Sequence, residues 1–439
     1  MRVIKLTIFS LILLVSCAPL TQEAMGTPIP KSTTTSAATP TPTLVPTPTQ
    51  VGGGSGKLLF SYSEEGYKDD FPEVSGSYNI FLSDFEGSYI VPVTKRNVGT
   101  VEVEDISPDG SKALISSFKY TRKKDSNAEL YLYNLDIPDA EPTLLVRGFS
   151  KNSYPPAAMW INNSEIVYIG NGDGGYGFYV MDTQTLEARK LAPYTENPER
   201  ILGVNAERVY WETREKTPRG GDIHVLWWTS LDGTEQGKLE ANGVQVGYFS
   251  GLAISSDGRM IAWRPYSYES EPECDTSEKV ENLRENGQFY TTCYVLHAAY
   301  LSDMDNEMRI PIEPKDGKKP DNFEYRPFLF LFMWAGDTSV LYMLNPGYRA
   351  PESMYKVDFN QTDPELEWVE NFPSIQNNYG AYYPTLRSFS PDGKLLFAKK
   401  VIQDSDQELV LIDMEHMYFN EEIFSRLNID EIYHAEFLP

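Results

Sequence analysis

One short phrase recurs along this chain and limits what it can fold into. Ile106-Ser-Pro-Asp-Gly110 leads into Lys112-Ala-Leu-Ile-Ser116, Ile254-Ser-Ser-Asp-Gly258 into Arg259-Met-Ile-Ala-Trp263, and Phe389-Ser-Pro-Asp-Gly393 into Lys394-Leu-Leu-Phe-Ala398. Each reads as strand, tight turn, strand. Proline presets φ, aspartate bonds its own backbone and glycine accepts a positive φ, while the flanks are rich in strand-forming residues. A phrase repeated at this scale means a stack of small sheets, none able to bury its apolar faces alone.

Weaker copies fill the gaps: Trp160-Ile-Asn-Asn-Ser164, Val204-Asn-Ala-Glu207 and Trp334-Ala-Gly-Asp337 each precede another apolar strand. Gly56-Lys-Leu-Leu-Phe60 repeats Gly393-Lys-Leu-Leu-Phe397 but has no strand before it, and the missing partner is expected at Ile432–Phe437. Third strands are predicted at Tyr78–Asp84, Glu129–Asn134, Gly177–Asp182 and Glu408–Asp413. Fourth strands are predicted at Thr143–Val146, Arg189–Leu191 and Arg309–Ile312. The spacing matches the roughly 40 to 50 residues of one propeller blade. The expected fold is all-β: a β-propeller of seven four-stranded blades, closed by pairing of its N- and C-terminal strands, which removes open sheet edges. Residues 57–439 form this domain, with a polar insertion at 268–291 in the fifth blade.

The Ser-Pro-Asp-Gly turns followed by Lys or Arg and an apolar strand resemble the TolB-like, WD-type propeller repeats. Relatives of these repeats also stand before prolyl oligopeptidase catalytic domains. The resemblance implies the fold and leaves the ligand open, and seven blades depart from the usual six of that family. Propellers host many functions, so function has to be argued from a site.

Ahead of the domain, Met1–Ser16 carries Arg2 and Lys5, then an apolar run from Ile8 to Val15. Roughly 20 apolar residues are needed to span a bilayer, so this run reads as an export signal. It ends in Leu14-Val15-Ser16-Cys17, which resembles the bacterial lipobox. That resemblance implies lipidation of Cys17, attachment to a membrane without spanning it, and an extracytoplasmic cell-envelope location, periplasmic or cell-surface. Residues 17–56 are rich in Thr, Pro, Ser, Ala and Gly and read as an extended tether with a loose Gly-rich joint.

The formal charge of −25 argues against nucleic acid as a partner. Cys274 and Cys293 are expected to pair as a disulfide, with two free thiols as the open alternative. No cofactor is expected and no metal motif is present, since the cysteines lack Cys-x-x-Cys spacing and only His297 is near. There is no Gly-x-Ser-x-Gly nucleophile elbow in the domain. His224, His297, His416 and His434 fall in or beside strand patterns, where packing is the default role. The acidic groups Glu64-Glu65, Asp303-x-Asp305-Asn-Glu307 and Asp404-x-Asp406 read as solvated loops.

Three tyrosines stand apart because Tyr154-Pro155, Tyr325-Arg326-Pro327 and Tyr383-Pro384 each precede an innermost strand. Loops of that kind line the mouth of a propeller channel, where rings would suit stacking on a sugar or burying a peptide side chain and Arg326 would suit clasping a carboxylate. Two readings stay open. The first is a non-catalytic binding or scaffold module for an envelope protein, peptide or glycan, with Tyr154, Tyr325, Arg326 and Tyr383 as ligand residues. The second is a propeller enzyme, a glycan hydrolase or lyase using channel carboxylates.

Overall fold

The chain's computed structural model describes residues 56–63, 78–84, 90–94, 100–118, 128–137, 140–149, 156–191, 198–216, 222–242, 244–246, 249–267, 280–285, 288–293, 295–312, 331–336, 339–345, 353–369, 387–401, 407–415, 418–420 and 432–439. Among them every regular element is a strand.

Blade 1 holds β1 (Lys57–Ser63), β2 (Tyr78–Asp84) and β3 (Ile90–Pro92). Blade 2 holds β4 (Thr100–Ile106), β5 (Lys112–Phe118), β6 (Ala128–Asn134) and β7 (Thr143–Phe149), and blade 3 holds β8 (Ala158–Trp160), β9 (Glu165–Gly172), β10 (Gly175–Asp182) and β11 (Ala188–Lys190). A single residue pair, Phe149 with Gly170, joins these two blades into one hydrogen-bonded sheet. Blade 4 holds β12 (Arg200–Val204), β13 (Arg208–Lys216), β14 (Asp222–Ser230) and β15 (Gln236–Lys238), followed by the small pair β16 (Glu240–Ala241) and β17 (Val244–Gln245). Blade 5 holds β18 (Phe249–Ile254), β19 (Met260–Ser267), β22 (Val295–Tyr300) and β23 (Asp303–Pro311), with β20 (Val280–Glu285) and β21 (Gln288–Cys293) between its second and third strands. Blade 6 holds β24 (Leu331–Trp334), β25 (Val340–Asn345), β26 (Ser353–Asp358) and β27 (Glu367–Trp368); blade 7 holds β28 (Arg387–Phe389), β29 (Leu395–Val401), β30 (Gln407–Asp413) and β31 (Tyr418–Asn420). The last strand, β32 (Ile432–Phe437), pairs antiparallel with β1, Leu58 opposite Phe437 and Phe60 opposite Ala435, and so completes blade 1 as its first strand.

Seven four-stranded antiparallel blades are therefore present, as the repeat predicts. Their first strands lie side by side in the order β4, β8, β12, β18, β24, β28 and β32. The core is a series of sandwiches between adjacent blades. Leu59, Ile80 and Leu82 of blade 1 pack on Val101, Val103 and Ala113 of blade 2. The Phe178 ring of blade 3 lies 5.1 Å from Trp211 of blade 4, and Tyr342 of blade 6 stacks 4.8 Å from Phe389 of blade 7. Central strands are thus buried on both faces, as in β9, where Ile166 to Gly170 are all buried.

Antiparallel pairing sends successive connections to opposite ends of each blade. First-to-second turns fall on one face, which we call the turn face. Second-to-third connections and the crossings between blades fall on the other, the loop face. The turns of blades 2, 5 and 7 share one hydrogen-bond pattern. In blade 2, Ser107 Oγ donates to Asp109 Oδ1 at 2.7 Å, Gly110 N to Ser107 O at 2.8 Å and Lys112 N to Ser107 Oγ at 2.9 Å. The same set recurs at Ser255–Met260 and Ser390–Leu395, and again at Ser230–Glu235, a third-to-fourth turn.

Glycine serves two ends in these turns. Gly258 has φ +63°, and a Cβ built there would lie 2.5 Å from Val204 O in blade 4. Gly110, at φ +69°, faces Pro439 O in the same manner at 3.0 Å. Further bonds tie turn to turn: Asp109 N to Asn163 Oδ1 at 3.1 Å, Asn205 Nδ2 to Gly258 O at 3.0 Å and Ser256 Oγ to Gly336 O at 3.1 Å.

One expectation is filled in and one is corrected. Within the expected insertion, β20 and β21 pair along their length and β21 continues onto β19 through Tyr266–Thr292 and Ser267–Thr291. The Asp303–Glu307 group is not a loop, because it lies in β23, where alternating exposure turns acidic residues outward and leaves Glu307 nearly covered.

Candidate functional site

Tyr154, Tyr325, Arg326 and Tyr383 lie outside the described residues, as do Cys17 and Cys274. In sequence the first four stand just before β8, β24 and β28, and those strands enter from the loop face. Cys293 ends β21 with its backbone opposite Val280.

What the described residues do bring together is a charged group at the loop-face end of blade 4. β12 starts at that end and β13 finishes there, so register sets Arg200 opposite Glu212 and Arg214 opposite His224 of β14. Glu199, just ahead of β12, donates its backbone N–H to Glu212 O at 2.9 Å. Arg200 approaches Glu212 with Nε 2.7 Å from Oε1 and donates Nη2–H to Oε2 at 3.2 Å. His224 Nδ1 lies 3.3 Å from Glu212 Oε1, and Arg214 Nε donates to Glu199 Oε2 at 3.1 Å. The Glu212 side chain is only 5% exposed. Burial, the strongest single influence, pushes its carboxyl up, but the His224 hydrogen bond and the Arg200 charge outweigh it and hold the group below the ordinary carboxylate range. Glu212 is an anion. Beside the group, Trp227 stacks 5.5 Å from Trp211, donates Nε1–H to Thr213 at 3.1 Å and carries Lys238 over its ring.

A second group sits on the outer strands of blade 5. His297 Nδ1 is 3.3 Å from Glu307 Oε2, and Arg309 Nε donates to Glu307 Oε1 at 2.7 Å. The His297 hydrogen bond, assisted by Arg309 and opposed by burial, holds Glu307 down to about 2. Trp263 covers the imidazole at 5.4 Å.

Both groups escaped the sequence reading because they depend on pairing between strands. The one local signal was the polar continuation Glu212-Thr-Arg-Glu-Lys216 after an apolar strand start. A hydrolase pair requires one carboxyl with a raised pKa to act as acid. Among the described residues the carboxyls with shifted pKa, Asp109, Asp182, Glu212, Asp232 and Glu307, are all lowered.

No family model matches this sequence and no curated protein matches it. Solved structures do share its architecture. TolB from Acinetobacter baumannii is similar at 11% identity, over 88% of this chain and 67% of that one, with a TM-score of 0.38. The propeller domain of the trilobed protease from Pyrococcus furiosus is similar at 12% identity, over 82% and 92%, with a TM-score of 0.45. The oligogalacturonate lyase from Vibrio parahaemolyticus is similar at 12% identity, over 83% and 85%, with a TM-score of 0.45. The likeness concerns fold alone. The chain is a β-propeller.

Proposed function

We propose that this propeller is a non-catalytic binding or scaffold module, lipid-anchored through Cys17 on the extracytoplasmic side of a cell membrane. Its loop face takes an envelope protein, peptide or glycan. The observation that carries this reading is the β20–β21 hairpin: it continues the ladder of β19 past the blade, on the face that receives the connections bearing Tyr154, Tyr325, Arg326 and Tyr383. Such an extension adds surface to that face, and a few amphipathic side chains brought to one face are a usual setting for specific binding. A Cys274–Cys293 disulfide would secure the base of that extension, since Cys293 closes β21.

The test is capture from the organism's own envelope extract by the intact protein, followed by single Tyr154→Ala, Arg326→Ala and Tyr383→Ala variants. Loss of the captured partner with unchanged melting supports the site, and capture untouched in all three refutes it. Cys17→Ser should move the protein from membrane to soluble fraction, and unchanged retention would overturn the anchoring.

A further inference from the structure

We propose that Glu199, Glu212 and His224 form a binding site for a divalent transition-metal ion, reached from the loop face when Arg200 and Arg214 give way. The site goes beyond the binding-module reading and stands or falls without it.

One donor atom from each of the three side chains lies within 4.8 Å of the other two. The His224 Nδ1 to Glu212 Oε1 separation of 3.3 Å is about the edge of a tetrahedron whose centre sits roughly 2.0–2.1 Å from each ligand. The backbone fixes this spacing before any ion arrives, through the Arg200–Glu212 and Arg214–His224 register and the Glu199 N–H bond to Glu212 O. Exposure is graded as an entry path requires, with Glu212 at 5%, His224 at 20% and Glu199 at 23%. Two carboxylate oxygens and an imidazole nitrogen suit zinc, cobalt or manganese, whereas calcium and magnesium favour oxygen alone. Three protein donors leave a further position for water or for a ligand atom.

The guanidinium groups of Arg200 and Arg214 face these carboxylates and compete directly with an ion. Each arginine side chain is 38% exposed, so its head can turn to solvent while the carboxylates stay in place. The exchange replaces two guanidinium contacts to the carboxylates with one doubly charged ion, while both arginines keep their charge in solvent. Competition gives the site an unusual signature, because removing an arginine must strengthen metal binding while removing a ligand abolishes it.

The experiment titrates the full chain in detergent, in a Cys274→Ser/Cys293→Ser background that removes thiolate ligands, with Co²⁺ followed by its visible absorption and then with Zn²⁺ as competitor. One Co²⁺ per chain, displaced by Zn²⁺, is expected. His224→Ala and Glu199→Gln should each weaken binding at least tenfold with melting near that of the parent, and Arg214→Ala should tighten it several-fold. Glu199 is partly exposed, so its variant keeps the test sound if the His224 variant folds poorly. Absence of binding, binding indifferent to Glu199→Gln, or an Arg214→Ala variant that binds no tighter would each overturn the proposal.

Discussion

On the turn face, Gly110, Gly258 and Gly336 each meet the backbone of a neighbouring blade, and one Ser–Asp–Gly hydrogen-bond pattern serves blades 2, 5 and 7. On the loop face the two second-to-third connections among the described residues differ. Blade 3 crosses with Asp173-Gly174 alone between paired Gly172 and Gly175, while blade 5 interposes the whole β20–β21 hairpin. The first face is occupied by contacts that hold blades together, so its sequence is constrained and repetitive. The second differs in length between blades 3 and 5, and variation of this kind is where binding specificity has room to arise.

The largest effect expected from this contrast comes from removing residues 432–439. That deletion strips β32 from β1 and takes away Leu438, fully buried beside the Gly110 turn. Cooperative thermal unfolding should be lost, with aggregation through the bared edge. A truncated chain that melts like the parent would end the argument for closure by the terminal strands.

Gly258→Ala should follow, at about 2–4 kcal/mol in denaturant unfolding, because the new Cβ meets Val204 O and a left-handed φ at once. Gly175→Ala on the loop face is its control. There φ is +82° with open space around the added carbon, so only about 1 kcal/mol should be lost. Equal costs at the two positions would break the comparison.

Glu307→Gln tests whether blade 5 is held by its outer ion group independently of either face. With the His297 bond holding the folded-state carboxyl at about 2, its contribution is full above the ordinary carboxyl value of about 4.3. It fades as pH falls from there toward 2. The variant should therefore be less stable by about 2–3 kcal/mol at pH 7, and the gap should shrink on acidification. A gap constant from pH 7 to 2.5 would refute the assignment.

The smallest stability effect is expected from excising residues 280–293 and rejoining the chain with a short turn. Because, among the described residues, β20 and β21 pair with each other and with the end of β19 alone, melting should move by no more than a few degrees while partner capture is lost. Unfolding of this variant would show that the loop face also carries the architecture.

Legibility in the sequence followed the range of the interactions. The Ser107, Ser255 and Ser390 turns close within a few residues, so their pattern is written locally and gave the blades their count and spacing. β32 was legible through the repeated Gly-Lys-Leu-Leu-Phe phrase, which demanded a missing partner. Glu212 and His224 were not, because only cross-strand register brings them together. Glu307 was hidden by its acidic neighbours, whose alternation in a strand looks like a solvated loop when read as composition. The β20–β21 hairpin did carry a signal: Asn286-Gly287 separates Glu285 from Gln288, the commonest two-residue hairpin pair.

The pairing of β1 with β32 also sets an order in time. Leu58 finds Phe437 only after every intervening blade has left the ribosome. Until then blade 1 lacks its innermost strand, and the β1 edge and the apolar side chains behind it are open to other chains. Contacts this distant in sequence form slowly, because the entropy of closing so long a loop must be met before the ladder rewards it. A protein built this way is most vulnerable in the interval between the emergence of Lys57 and that of Phe437.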